Sequence, residues 1–117
     1  MPDLYRHYID GQWVESRSGT TFESHNPATG ELIGTFSAGT AEDIDAAVAA
    51  ATRAFAKWRL YPAPHRGEIL FRVAQLLAER KESLAREMTM EMGKVLAETR
   101  GDVQEGIDMA FYMAGAY

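Results

Sequence analysis

Three carboxylates, Glu98, Asp102 and Glu105, recur at i, i+4 and i+7 near the end of the chain, the spacing that puts side chains on one helix face. Such a face is a solvated acidic surface or, where backbone carbonyls of a second segment approach it, a set of oxygen ligands for a hard cation. Met92-Gly93-Lys94 carries the glycine and lysine of a phosphate loop. That loop needs a glycine where Met88 stands and Ser or Thr where Val95 stands, so Gly93 reads as a helix stop instead. No Gly-x-Gly-x-x-Gly follows a strand pattern, so these residues hold no dinucleotide fingerprint. His7, His25 and His65 are scattered without i, i+4 or clustered acidic partners, which fits turn or surface histidines better than zinc ligands or proton shuttles. Arg66, two residues before Glu68, reads as a helix-surface ion-pair residue, and the Met88, Met90, Met92 alternation as packing. The sequence has no cysteine, which excludes a disulfide framework, a thiolate metal site and a cysteine nucleophile from these residues.

The elements that must position these groups change character near Gly39. Before it, Tyr8-Ile9 and Gln12-Trp13-Val14 flank Asp10-Gly11, a dipeptide suited to the positive φ angles of a two-residue hairpin turn. Thr21 to His25 and Leu32 to Phe36 make a second strand pair around Asn26-Pro27-Ala28-Thr29-Gly30. There Pro27 presets its φ, Gly30 takes a left-handed conformation and Asn26 bonds back to the backbone. After Gly39 the period moves to 3.6. Thr40 with Asp43 three residues on is a variant capping box, and Ile44, Ala47, Val48, Ala51, Phe55 and Trp58 form the apolar stripe of a first helix. Pro62 and Pro64 close it and open a second, with Ile69, Val73, Leu76 and Leu77 as its stripe. A break is expected across Glu79-Arg80-Lys81-Glu82. A third helix follows with Leu84, Met88 and Met92 facing inward and Gly93 as its stop, then a fourth from near Leu96 with Val103, Ile107, Ala110, Phe111 and Ala114 buried.

With 117 residues, 46% hydrophobic and 25% charged, the composition is that of an ordinary globular domain. The net charge of -5 removes the attraction that nucleic acid or anionic lipid requires, so neither is an expected partner. Met1-Pro2-Asp3 opens with an early acid and no apolar run, no secretory signal is read there, and no stretch approaches the roughly 20 apolar residues of a membrane span. A cytoplasmic location is expected. The last helix runs to Tyr117 without a stop, and two hairpins with open edges invite further strands, so residues 1–117 read as a piece of a larger domain.

Taken in order, Tyr8-Ile9-Asp10-Gly11-Gln12-Trp13-Val14, Asn26-Pro27-Ala28-Thr29-Gly30-Glu31, Ala47 to Trp58, Arg66-Gly67-Glu68-Ile69-Leu70, Glu91-Met92-Gly93-Lys94 and Tyr112-Met113-Ala114-Gly115 resemble the opening of an NAD(P)-dependent aldehyde dehydrogenase. The run from Pro62 to Leu70 is similar to the semialdehyde-oxidising branches. The resemblance implies an α/β fold of which residues 1–117 are the N-terminal part of the NAD(P)-binding domain: two β-hairpins followed by about four amphipathic helices of a Rossmann-like domain, with the catalytic domain absent.

The resemblance also implies oxidation of an aldehyde or semialdehyde to a carboxylic acid with NAD or NADP, in a homodimer or homotetramer. A cysteine thiolate attacks the aldehyde, hydride passes to the nicotinamide, and a glutamate-activated water releases the acid. None of those catalytic or cofactor-binding residues falls here; Asn26 sits in a turn and is not the catalytic asparagine. One family feature transfers by position, a structural monovalent cation, Na⁺ or K⁺, held by carbonyl oxygens of Ser24 and His25 and by Asp102. On this reading the chain alone is inactive scaffold whose partners are the rest of its own polypeptide and an aldehyde. Two alternatives stand beside it: a free-standing, monomeric α+β interaction module whose helical stripe docks a partner, and a non-catalytic or acyl-CoA-forming relative sharing this opening.

Overall fold

The computed structural model describes residues 4–116; the expectations resting on Met1-Pro2-Asp3 lie outside the described residues, whereas the last helix, expected to run to Tyr117 without a stop, ends at Ala114 with Gly115 as its cap. The chain divides into two compact units, Met1–Leu60 and Tyr61–Tyr117.

In the first unit, β2 (His7–Ile9) and β3 (Gln12–Val14) form the expected antiparallel hairpin, with Tyr8 opposite Trp13. Its turn residues sit at φ 54 for Asp10 and φ 77 for Gly11, the paired positive angles that let a two-residue loop match strand twist. The second hairpin pairs β4 (Thr21–His25) with β5 (Leu32–Ser37). In its turn the Ala28 N–H donates to Asn26 Oδ1 at 2.9 Å and Gly30 takes φ 75, the roles anticipated for both residues. One strand escapes sequence reading: β1 (Leu4–Tyr5) adds in parallel to β5, giving the sheet order β1-β5-β4. Two residues cannot show a period. β1 is held by stacking, since Tyr5 lies 4.7 Å from Phe36, which lies 5.5 Å from Phe22. Gly34 makes room for it: a Cβ there would come within 2.5 Å of the Tyr5 ring.

Helix α1 (Ala41–Trp58) starts at Thr40 with both arms of the capping box formed. Its inward residues are Asp43 and Ala50, whereas Ile44, Val48 and Phe55 of the expected buried stripe are 62%, 58% and 59% exposed. Periodicity reports that a stripe exists; it does not report whether these residues supply the surface that covers it.

In the second unit, α2 (Ala63–Glu79) begins with Pro64 in its first turn and is separated at Arg80 from α3 (Lys81–Met92), which ends on Gly93 at φ 78. The fourth helix, α4 (Leu96–Ala114), packs against both. Its stripe is largely as expected: Val103, Ile107 and Ala114 are buried, and Leu77, Leu84, Met88 and Leu96 close around Ala85, Val103 and Ile107. The α2 stripe differs. Gly67 and Ala74 are the buried residues, while Ile69 and Val73 are exposed, because small side chains seven apart allow close helix approach where Ile would hold a neighbour off. Met92 and Phe111, expected inside, are 52% and 37% exposed, the Phe111 ring meeting Phe71 edge-on at 5.1 Å. No helix among the described residues is long and apolar enough to cross a membrane.

Candidate functional site

The acidic face of α4 forms as its spacing requires, and its chemistry centres on Lys94, the residue that follows the Gly93 helix stop. Gly93 in the left-handed region turns the chain back after α3, its N–H donating to Thr89 O at 2.9 Å, and this delivers Lys94 to the first turns of α4. Lys94 Nζ then donates to Asp102 Oδ2 at 2.6 Å, with both side chains about one-third exposed. That hydrogen bond, ahead of the attraction of Asp102, Glu98 and Glu105, holds the ammonium above the usual lysine range. The face is therefore a carboxylate cluster that carries its own cation, and the phosphate-loop reading of Met92-Gly93-Lys94 has no support in the geometry.

Ser24 and His25 lie in the other unit, at the end of β4. The ladder shifts register between them, with Ile33 as the extra residue on β5, a bulge at the place where backbone carbonyls were expected to act as ligands. His25 Nε2 stands 3.5 Å from Glu23 Oε2. In its own unit the Asp102 carboxylate is engaged by Lys94, with which any cation at that residue has to compete. Among the described residues no group of three or more His, Asp or Glu side chains converges to hold a metal ion. His65 Nδ1 meets Glu68 Oε2 at 3.1 Å as an exposed i, i+3 pair, as expected of a surface histidine.

Two polar nodes were missed from sequence. Buried Asp43 accepts from Ser16 Oγ at 2.7 Å, the Thr40 N–H at 2.9 Å, Thr40 Oγ1 at 3.0 Å and the Arg17 N–H at 3.1 Å. Four donors, the Thr40 N–H and then the Ser16 hydroxyl foremost, hold its carboxyl far below the ordinary range and pin the 16–20 loop to the start of α1. The capping box signalled the acid; nothing local signalled Ser16, 27 residues away. The second node is Thr99, fully buried, whose Oγ1 lies 2.8 Å from Thr89 Oγ1 and donates to Leu96 O at 3.2 Å. Both nodes hold elements in place, and neither is arranged for catalysis.

Comparison with known proteins accounts for the assembly. The profile of the aldehyde dehydrogenase family matches residues 13–117. Malonate-semialdehyde dehydrogenase 1 of Geobacillus thermodenitrificans is 50% identical over 111 residues, covering 95% of this chain and 23% of that protein. The malonate-semialdehyde dehydrogenase of Bacillus pumilus is 42% identical over 113 residues, covering 97% and 23%. Betaine aldehyde dehydrogenase of Staphylococcus aureus, solved in complex with NAD⁺, superposes with a TM-score of 0.93 at 39% identity over 96% of this chain and 23% of that one. An NAD-dependent aldehyde dehydrogenase from Sinorhizobium meliloti gives 0.92 at 35% identity over 98% and 24%. The chain thus spans about a quarter of the length of the relatives it matches.

Proposed function

Because the chain belongs to the aldehyde dehydrogenase family, we propose that it forms the N-terminal part of the cofactor-binding domain of a cytoplasmic, homo-oligomeric enzyme that oxidises a semialdehyde to a carboxylic acid with NAD⁺. The observation that carries this reading is the 50% identity to a malonate-semialdehyde dehydrogenase over 95% of the chain. When bound, NAD⁺ supplies the hydride acceptor. These residues contain no cysteine to act as the thiolate nucleophile, so their contribution is scaffold. The two hairpins, the capped α1 and the α2–α4 bundle present surfaces for the rest of the polypeptide, and the chain by itself is inactive. NADP⁺ is the weaker cofactor candidate, because the matched structure was solved with NAD⁺.

The test is a chimera in which this chain replaces the matching segment of the Geobacillus malonate-semialdehyde dehydrogenase. The expected result is NADH formation from malonate semialdehyde within about tenfold of the parent, a barrier change of about 1.4 kcal/mol. A soluble, assembled chimera without activity would overturn the reading, as would dehydrogenase activity of the chain alone. We also propose that Ser24, His25 and Asp102 hold Na⁺ or K⁺ weakly, through two carbonyls and one carboxylate. Melting the chimera in sodium, potassium and tetramethylammonium chloride at equal ionic strength tests this by linkage; identical midpoints refute it.

A further inference from the structure

The hairpin turn at Asp10-Gly11 pairs a carboxyl with a main-chain nitrogen in a way that the enzyme reading does not use. It is the one Asp-Gly step in the sequence, and Asp10, at φ 54, is the only non-glycine residue at positive φ among the described residues. Both residues are exposed, and nothing lies within 4 Å of the position that a Gly11 Cβ would take. An open cavity of about 350 Å³ separates the turn from Ala47, Ala50, Ala51 and Ala54 of α1. The other described aspartates, Asp43, Asp45, Asp102 and Asp108, precede larger residues inside helices, where the next main-chain N–H is bonded to a carbonyl four residues back. Asp10 is tied by a single exposed ion pair, Arg53 Nη2 donating to its Oδ2 at 3.0 Å.

We propose that Asp10 is a site of spontaneous isomerisation to isoaspartate, favoured by the backbone of the turn and restrained by Arg53. The Gly11 main-chain nitrogen attacks Cγ of the protonated Asp10 carboxyl. A Cγ–N bond forms, the Cγ–OH bond breaks, and the hydroxyl leaves as water with the Gly11 amide proton. One water then opens the cyclic imide. Attack at Cγ regenerates aspartate; attack at the Asp10 main-chain carbonyl carbon breaks the original peptide bond and leaves isoaspartate, with mass unchanged and no oxidant or reductant needed. Ring closure requires the Gly11 nitrogen to eclipse the Asp10 Cβ, which for an L-residue falls at a ψ of about −120°, the value a type II′ turn sets at its first central residue beside a φ of about +60°. Asp10 already holds that φ, so turning over the one peptide plane between residues 10 and 11 reaches the reactive geometry, and glycine accepts the new angles. Arg53 opposes the step by holding Oδ2 toward α1, against the side-chain rotation that carries Cγ to the nitrogen. Isoaspartate adds a main-chain carbon to a two-residue turn whose length sets Tyr8 opposite Trp13, so conversion loosens the β2–β3 hairpin. The inference stands on the turn and is independent of the proposed enzyme.

Incubating the 117-residue chain, the malonate-semialdehyde dehydrogenase chimera and a peptide of residues 5–16 for weeks at near-neutral pH provides the test. Isoaspartate is read by enzymatic methylation of its free α-carboxylate and located by peptide mapping. The expected result is conversion at residue 10 alone in both proteins, at a rate within about tenfold of the peptide's. Arg53→Gln is expected to raise the rate in both proteins by about two- to fivefold, the hold of an exposed ion pair, and Arg53→Lys to return it to the starting value. Arg53 is exposed and the readout is chemical change at one residue, so the variants test the turn without burdening the fold. Absence of conversion in either protein while the peptide converts overturns the proposal, because the fold then protects the turn. Equal conversion at Asp43 or Asp102 overturns it as well, and a rate unmoved by Arg53→Gln removes Arg53 as the restraint.

Discussion

Ile107→Ala in the α2–α4 unit and Ile44→Ala on α1 are the same chemical change at two positions that helical periodicity ranks alike. Ile107 is 3% exposed, packed with Ala85 and Val103 under Leu77, Leu84, Met88 and Leu96, whereas Ile44 is 62% exposed. Truncating Ile107 removes three carbons from a dry site, about 2.4 kcal/mol at ~0.8 kcal/mol per methylene, and leaves a cavity that only partly collapses. A residual void of about 40 Å³ adds about 1 kcal/mol at ~24 cal/mol per Å³, so the expected loss is about 3.5 kcal/mol. Ile44→Ala removes the same atoms from water-exposed surface, with an expected cost under ~1 kcal/mol. Helical domains this small hold only about 0.05–0.15 kcal/mol per residue, so Ile107→Ala takes away much of the stability of its unit, and Ile107→Val, at ~0.5–1.5 kcal/mol, keeps the measurement within range. Urea unfolding followed by circular dichroism gives both midpoints; at ~1 kcal/mol per molar the Val variant shifts by about 1 M. Equal costs at positions 44 and 107 would refute the assignment of the core to the α3–α4 contact.

Glu82 accepts from Arg100 Nε and Nη2 at 2.9 and 2.8 Å, and this pair, aided by Arg86, pulls its carboxyl from 4.5 down to about 2. With the folded value below the unfolded one, the unfolded state binds more protons between them; the α3–α4 tie is complete above about pH 4.5 and fades as pH falls toward 2. Arg100→Gln is expected to flatten the dependence of the urea midpoint on pH across that window, and an unchanged slope would remove Glu82 as its source. Gly93→Ala forces a β-carbon into the left-handed region at φ 78, with an expected cost of ~1–2 kcal/mol in the same assay. Loosening of the Lys94–Asp102 bond should accompany it, visible as a shift in the Asp102 carboxyl resonance.

The amino-acid sequence by itself determines the local devices. The Asp10-Gly11 turn, the Asn26 to Gly30 turn, the Thr40 cap, the break at Arg80 and the Gly93 stop depend on φ preferences and on hydrogen bonds that reach a few residues, so their residues announce them. The ordered set also announces the family. Tertiary structure alone decides which apolar stripe becomes core. Val103 and Ile107 are buried because α3 and α2 lie across them, while Ile44 and Ile69 have equal hydrophobicity and spacing and stay exposed. It likewise decides that Ser16 completes the Asp43 node, that Thr89 meets Thr99, and that Lys94 becomes the counter-ion of the α4 carboxylates. Burial and charge pairing are properties of what lies opposite a side chain, and what lies opposite is set by contacts that periodicity cannot see.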